Sequence, residues 1–131
     1  MGLISGDAST PGAMALRIWH ILILDAQNRL TPTYIEIARK VGYRGARPII
    51  PSLYRILYYC LQEGLPILTA IVVSKKTGLP SEGVSEAGVV ITRENFPRIK
   101  EIIFGYDWSS VSPPTPEDLE SAYKIGQRRQ S

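Results

Sequence analysis

Cys60 and His20 are the only thiol and the only imidazole in this 131-residue chain. One thiol cannot close an internal disulfide or build a Cys-based zinc knuckle. Both residues sit in apolar runs with helical spacing, which predicts a buried, inert cysteine and a helix-packing histidine. A lone imidazole in such a place leaves no material for a two-His metal site, an HNH nuclease centre or a His-based triad. The carboxylates Glu82, Glu86, Glu94 and Asp107 lie in loop-like sequence without the spacing of a magnesium site. Gly78 and Gly83 flank a turn that lacks the strand, loop, helix and lysine of a phosphate loop. The residues therefore predict no catalytic group, no metal and no cofactor, and a chain that is not an enzyme.

Charge is the more informative signal. The formal net charge is only +3, but it is unevenly spread. Between Thr31 and Pro80 stand Arg39, Lys40, Arg44, Arg47, Arg55, Lys75 and Lys76, opposed only by Glu36 and Glu63. From Ser81 onward carboxylates outnumber cations. A basic window beside a mildly acidic one is the pattern of a module that meets a polyanion with one face. Its plainer counterpart is a solvated charged surface.

The elements that must carry these charges follow from periodicity. The Gly-, Ser- and Pro-containing stretch 1–12 has no period and is expected to be a disordered lead. Ala13 to Gln27 repeats Leu16, Trp19, Ile23 and Ala26 at helical spacing, with Ile18 and Leu22 widening the stripe. Thr31-Pro32-Thr33 supplies a helix start, and a second helix runs from about Thr33 to Val41, ended by Gly42. A basic turn, Tyr43 to Arg47, leads to a third helix from about Pro48 or Pro51 to Gln62, stopped by Gly64. Its buried stripe is Leu53, Ile56, Leu57, Cys60 and Leu61, with Arg55, Tyr58 and Tyr59 pointing elsewhere. The β-branched run Ile67 to Ser74 predicts a strand and Lys75 to Gly78 a turn. Residues Ser85 to Ile91 read as loop or a second strand. Asn95 to Phe104 reads as a fourth helix with Pro97 in its first turn, Ser109 to Pro114 as extended chain, and Pro116 to Gly126 as the start of a last helix. The order is that of a winged helix-turn-helix: a mainly α, α+β fold with a small β wing. It would occupy 13–108 and be followed by an extended or helical tail over 109–131.

The segment Thr33 to Gly42, then Gly45-Ala46-Arg47, Leu65-Pro66 and Ile71-Val72-Val73, resembles the DNA-binding domain of alkylguanine-DNA alkyltransferases and the catalytically silent alkyltransferase-like proteins. The resemblance covers the middle third to half of the chain. It implies duplex DNA as partner, with Tyr34 beside the nucleotide backbone and Arg47 at the position that fills the stack behind a flipped base. The residues by themselves allow a core tyrosine and a phosphate-clamping arginine instead. The reactive cysteine of the family is missing: the alignment puts Thr69, Ala70 and Ile71 where its cysteine, histidine and arginine would be. Alkyl transfer requires an activated thiolate, so binding without transfer is expected.

The expected nucleic-acid face comprises Tyr34, Tyr43, Arg44, Arg47, Arg55, Lys75 and Lys76, with the third helix in a groove and the lysines at the wing tip. An alternative of another class is a protein-interaction module, an accessory subunit or phage-type inhibitor of a larger nucleic-acid enzyme. That reading anchors on Phe104, Tyr106 and Trp108, if these do not simply pack on the core. The longest early apolar stretch, Ile18 to Leu24, is too short to span a bilayer and lacks the flanks of a secretory signal. Together with the lone cysteine this predicts a cytoplasmic, reducing location and no membrane partner.

Overall fold

Thr10 caps helix α1, Pro11–Gln27: its hydroxyl accepts from the Ala13 amide and Pro11 occupies the first turn, so Pro11 and Gly12, expected in the lead, are helical. The computed structural model describes residues 10–80, 88 and 90–130. Four further α-helices are described: α2 Tyr34–Lys40, α3 Ile50–Glu63, α4 Phe96–Gly105 and α5 Pro116–Gln130. Short 3-10 turns lie at Arg47–Ile49, Leu68–Ile71 and Trp108–Ser110.

Helices α1, α3 and α5 pack against one another, and the Leu68–Ile71 turn packs on α1, α3 and α4. Ile18, Trp19 and Leu22 are buried at helical spacing on the inner face of α1. Trp19 meets the Tyr59 ring edge-on at 5.7 Å and the Trp108 ring at 6.2 Å, joining α1 to α3 and to the turn after α4. Helix α2 is short but doubly capped: the Thr33 hydroxyl accepts from the Glu36 amide, and the Glu36 carboxylate accepts from the Thr33 amide. Gly64, in the left-handed region at φ 68°, ends α3.

The main departure from the sequence reading is the strand. Residues Leu68–Ile71 form a 3-10 turn, and among the described residues the β contact is a single parallel bridge, Thr33 to Val73. A β wing is therefore not supported, and the class is mainly α. The physical reason is burial on every side: Leu68, Thr69, Ala70, Ile71 and Val72 are all buried, and a short continuous apolar run has the same composition as a strand or a compact turn. The second expected wing segment, Ser85 to Ile91, falls largely outside the described residues.

A second departure concerns the end of the chain. The segment 109–131, expected as a tail, contains α5, which packs on α1 and α3 and buries Leu119 and Ala122. That contact reassigns part of α3. Leu61, placed in the buried stripe by periodicity, is 39% exposed, whereas Arg55 and Tyr58, placed outside it, are buried. The stripe widens because α3 is covered on two sides, by α1 and by α5. His20, expected to pack in the core, lies on the exposed side of α1.

Helices α3 and α5 approach so closely at Gly126 that a Cβ there would lie 2.6 Å from Cγ of the Tyr58 ring. Alanine is the better helix former by about 1 kcal/mol, so propensity alone favours Gly126→Ala. The clash should reverse that sign and cost about 1–3 kcal/mol, read as a lower Tm. Asp25 is buried on α1, and its Oδ2 has no hydrogen-bond partner. Burial pushes its carboxyl above the usual value of 3.8, opposed by nearby Lys40 and reinforced by Glu36. A raised folded-state pKa means stability is lost as pH rises from the unfolded value through the folded one. Relative to wild type, Asp25→Asn should therefore gain Tm progressively as pH rises above about 4, measured by thermal melts across a pH series.

Candidate nucleic-acid interface

Two exposed basic turns bracket α2. The first, after the helix, holds Tyr43, Arg44 and Arg47 around Gly45. The Tyr43 amide donates to the Ala38 carbonyl at 2.9 Å, folding this turn back against the helix, and the 3-10 turn that begins at Arg47 packs on α2. The second turn, Ser74 to Leu79, is closed by Gly78 N–H to Ser74 O at 2.8 Å and Ser74 N–H to Leu79 O at 2.9 Å. It presents Lys75 and Lys76 to solvent. The Thr33–Val73 bridge fastens it beside the start of α2, through Val73 N–H to Pro32 O at 2.9 Å and Tyr34 N–H to Val73 O at 3.3 Å.

Between the two turns runs a helix of 7 residues, about 10 Å long. Arg39 and Lys40, in the last turn of α2, are exposed as well. Among the described residues Arg39, Lys40, Arg44, Arg47, Lys75 and Lys76 make no ion pair, the described pairs being Arg29–Glu101 and Arg55–Glu120. Arg93, which the sequence reading did not single out, donates to the Thr77 carbonyl at 3.2 Å and braces the lysine turn from outside. Its signal was absent from the sequence because the contact spans a segment with no periodic pattern.

Two of the expected site residues have structural roles. Arg55 is buried: its guanidinium donates to both carboxylate oxygens of Glu120 at 2.7 and 3.1 Å and to the Pro51 carbonyl at 2.8 Å, and it lies 4.0 Å over the Tyr123 ring. It clamps α5 to α3 and is not presented to a nucleic acid. Tyr34 is half-buried at the first position of α2 and packs against the core.

Of the aromatic residues at the end of α4 and beyond it, Trp108 turns inward while Tyr106 stays 37% exposed. Trp108 is buried, with its indole N–H donating to the Ile103 carbonyl at 2.8 Å, and Tyr106 packs against it with ring centroids 4.9 Å apart. Phe104 is half-buried and lies under the Arg29 guanidinium at 5.1 Å. Trp108 is therefore a core residue and not an interface anchor.

Cys60 is fully buried, and burial pushes its thiol up to about 12, so it is a thiol and not a thiolate at neutral pH. Thr69 is buried too, its hydroxyl without a hydrogen-bond partner. Among the described residues there is no group of three or more His, Cys, Asp or Glu side chains that could hold a metal ion. No described helix is long and apolar enough to cross a membrane. Two surface recesses stand out. One of about 120 Å³ lies between α3 and α5 beside Tyr58 and Ile125, and one of about 90 Å³ lies beside Tyr43.

Comparison of the chain with protein families, with curated proteins and with solved structures finds no match.

The Arg55–Glu120 clamp carries a pH signature. The hydrogen bond from Arg55 holds the Glu120 carboxyl below its usual value of 4.5, with burial pulling the other way. A depressed folded-state pKa gives stability that is present above the unfolded value and lost as pH falls through the folded one. Arg55→Met should lower stability at pH 7 by roughly 2 kcal/mol, less than a fully buried pair because Glu120 is partly exposed. The deficit relative to wild type should shrink below about pH 4, as followed by urea unfolding.

Proposed function

We propose that this chain binds duplex DNA, without doing chemistry on it, through the two basic turns that bracket α2. The observation that carries the reading is the set Arg39, Lys40, Arg44, Arg47, Lys75 and Lys76, exposed and free of ion pairs among the described residues. Cations on two turns at either end of a short capped helix suit a ligand with charge at every step along its length. DNA carries one negative charge per roughly 1.7 Å of axis, so each turn finds a phosphate without a defined register. The resemblance of Thr33 to Arg47 to the alkyltransferase DNA-binding domain supports DNA as the polyanion. The buried Cys60 and the threonine at the reactive position support binding without transfer.

The reading differs from a winged helix in how the second contact is made. Lys75 and Lys76 sit on a tight turn held by one bridge and by Arg93, not at the tip of a β hairpin. Helix α3 has little freedom to enter a groove along its length, since α1 and α5 cover it on two sides. Contacts of this kind position a protein on the backbone and read little sequence.

Fluorescence anisotropy with a labelled duplex across a salt series tests this directly. Wild-type binding should weaken steeply with salt. The Arg44→Ala/Arg47→Ala and Lys75→Ala/Lys76→Ala variants should each bind more weakly, with the slope of log K against log salt shallower by about one for each phosphate contact removed. A duplex carrying an alkylated guanine extends the test, since the family resemblance predicts a preference for it. Unchanged affinity in both double variants would overturn this face, and absence of duplex binding at low salt would shift the reading to a protein partner.

A further inference from the structure

Arg93 reaches the lysine turn from another segment of the chain, and the turn it stands on is fixed independently of that contact. The Thr92 amide donates to the Asn95 side-chain oxygen at 2.7 Å, and the Asn95 amide donates back to the Thr92 hydroxyl at 3.1 Å. The Asn95 side-chain amide donates to the Val90 carbonyl at 3.0 Å, and buried Phe96 opens α4 directly afterwards. Arg93 itself is exposed. The lysine turn is equally self-sufficient. Besides the two backbone bonds that close it, the Ser74 hydroxyl accepts from the Lys76 amide at 3.2 Å and the Thr77 hydroxyl from the Leu79 amide at 3.1 Å. Neither turn needs the hydrogen bond from Arg93 to the Thr77 carbonyl in order to close.

A single exposed hydrogen bond to a carbonyl contributes little to stability, yet this one brings a third cation to a turn that already carries two. Among the described residues Arg93, Lys75 and Lys76 make no ion pair, and neither does Glu94, the carboxylate next to Arg93 in the chain. Like charges gathered on one turn repel, and an anion placed among them relieves the repulsion. The guanidinium also has donors to spare: of its five N–H groups, one on Nη2 is engaged with Thr77 at 3.2 Å, while Nε and Nη1 have no hydrogen-bond partner among the described residues. A planar fork grips phosphate oxygens two at a time, whereas a lysine meets them as a point charge. We infer that Arg93 joins Lys75 and Lys76 in one phosphate-binding site built from two segments of the chain. The Thr77 hydrogen bond sets where the guanidinium lies, and a backbone phosphate takes its remaining donors. The inference rests on the DNA-binding reading above and extends that interface from the lysine turn onto the turn that starts α4.

The test is anisotropy binding of the full chain to a labelled blunt duplex across a salt series. Arg93→Ala should bind more weakly, with the slope of log K against log salt shallower by about one. The advantage of wild type over it should therefore fall about threefold between about 50 and about 200 mM salt. Arg93→Lys, which keeps the charge, should keep the wild-type slope. A merely structural brace is separated by adding Arg93→Ala to Lys75→Ala/Lys76→Ala, where Arg39, Lys40, Arg44 and Arg47 still hold the duplex at low salt. A direct phosphate contact lowers the slope by a further one or so in that background. Thermal melts confirm folding; should the alanine variant fail, Arg93→Gln removes the charge while keeping a polar stem. An effect of Arg93 that vanishes once the two lysines are gone makes it a brace and overturns the inference. An unchanged slope in Arg93→Ala overturns it too, as does an equal loss of slope when Lys124→Gln removes a cation from α5. In each of these outcomes duplex binding by the wild type leaves the two-turn reading standing, whereas absence of duplex binding at low salt overturns both.

Discussion

Burial of the inner face of α1 is the constraint on which the rest of the molecule depends. Trp19 is the widest part of that face and is held edge-on between Tyr59 and Trp108, so one side chain joins the first helix, the third and the turn that follows the fourth. Fully burying large apolar side chains contributes roughly 1.5–3 kcal/mol each, and Ile18, Trp19 and Leu22 are all buried on this face. The inward turn of Trp108, between exposed neighbours, follows from it, since Trp108 can cover Trp19 only if the chain turns back after α4. The indole N–H then needs a partner inside, which the Ile103 carbonyl supplies.

Docking of α5 is the second organising event, and it explains why several polar residues of α3 are structural. A helix that ends in Arg128 and Arg129 and opens with Glu117 and Asp118 suits its own dipole, but its apolar stripe is narrow. The contact is completed by Arg55, which satisfies Glu120, accepts the face of Tyr123 beneath it, and donates back to the first turn of α3. An arginine serves where a lysine would not, because its planar fork reaches a carboxylate with two donors while its face stacks on a ring. Gly126 then permits the close approach that Tyr58 requires.

The exposed cations are what remains after these structural demands are met. Arg29 and Arg55 are committed to Glu101 and Glu120. The basic residues around α2 are not, and they stand on short turns fixed by backbone hydrogen bonds and by the Thr33 capping box. Cys60 lies on the other side of this division, buried and protonated.

Much of the helical framework was legible in the sequence by itself. The Thr33 hydroxyl with Glu36 three residues on marks the start of α2, Gly64 marks the end of α3, and Pro97 marks the first turn of α4, because capping and proline geometry are local and need no knowledge of the fold. The basic window around α2 was equally visible, since charge is a property of composition. Only the tertiary structure decided what Ile67 to Ser74 and the last helix would do. A continuous β-branched run is compatible with a strand or a buried turn until its neighbours are known, and here α1, α3 and α4 close over it. Periodicity assigned α3 one buried face, and the arrival of α5 from more than fifty residues away gave it a second. That contact converts Arg55 and Tyr58 from surface residues to core ones. Long-range packing also turned Trp108 inward and placed Arg93 against the lysine turn, contacts that leave no mark on local sequence because each partner is ordinary in its own segment.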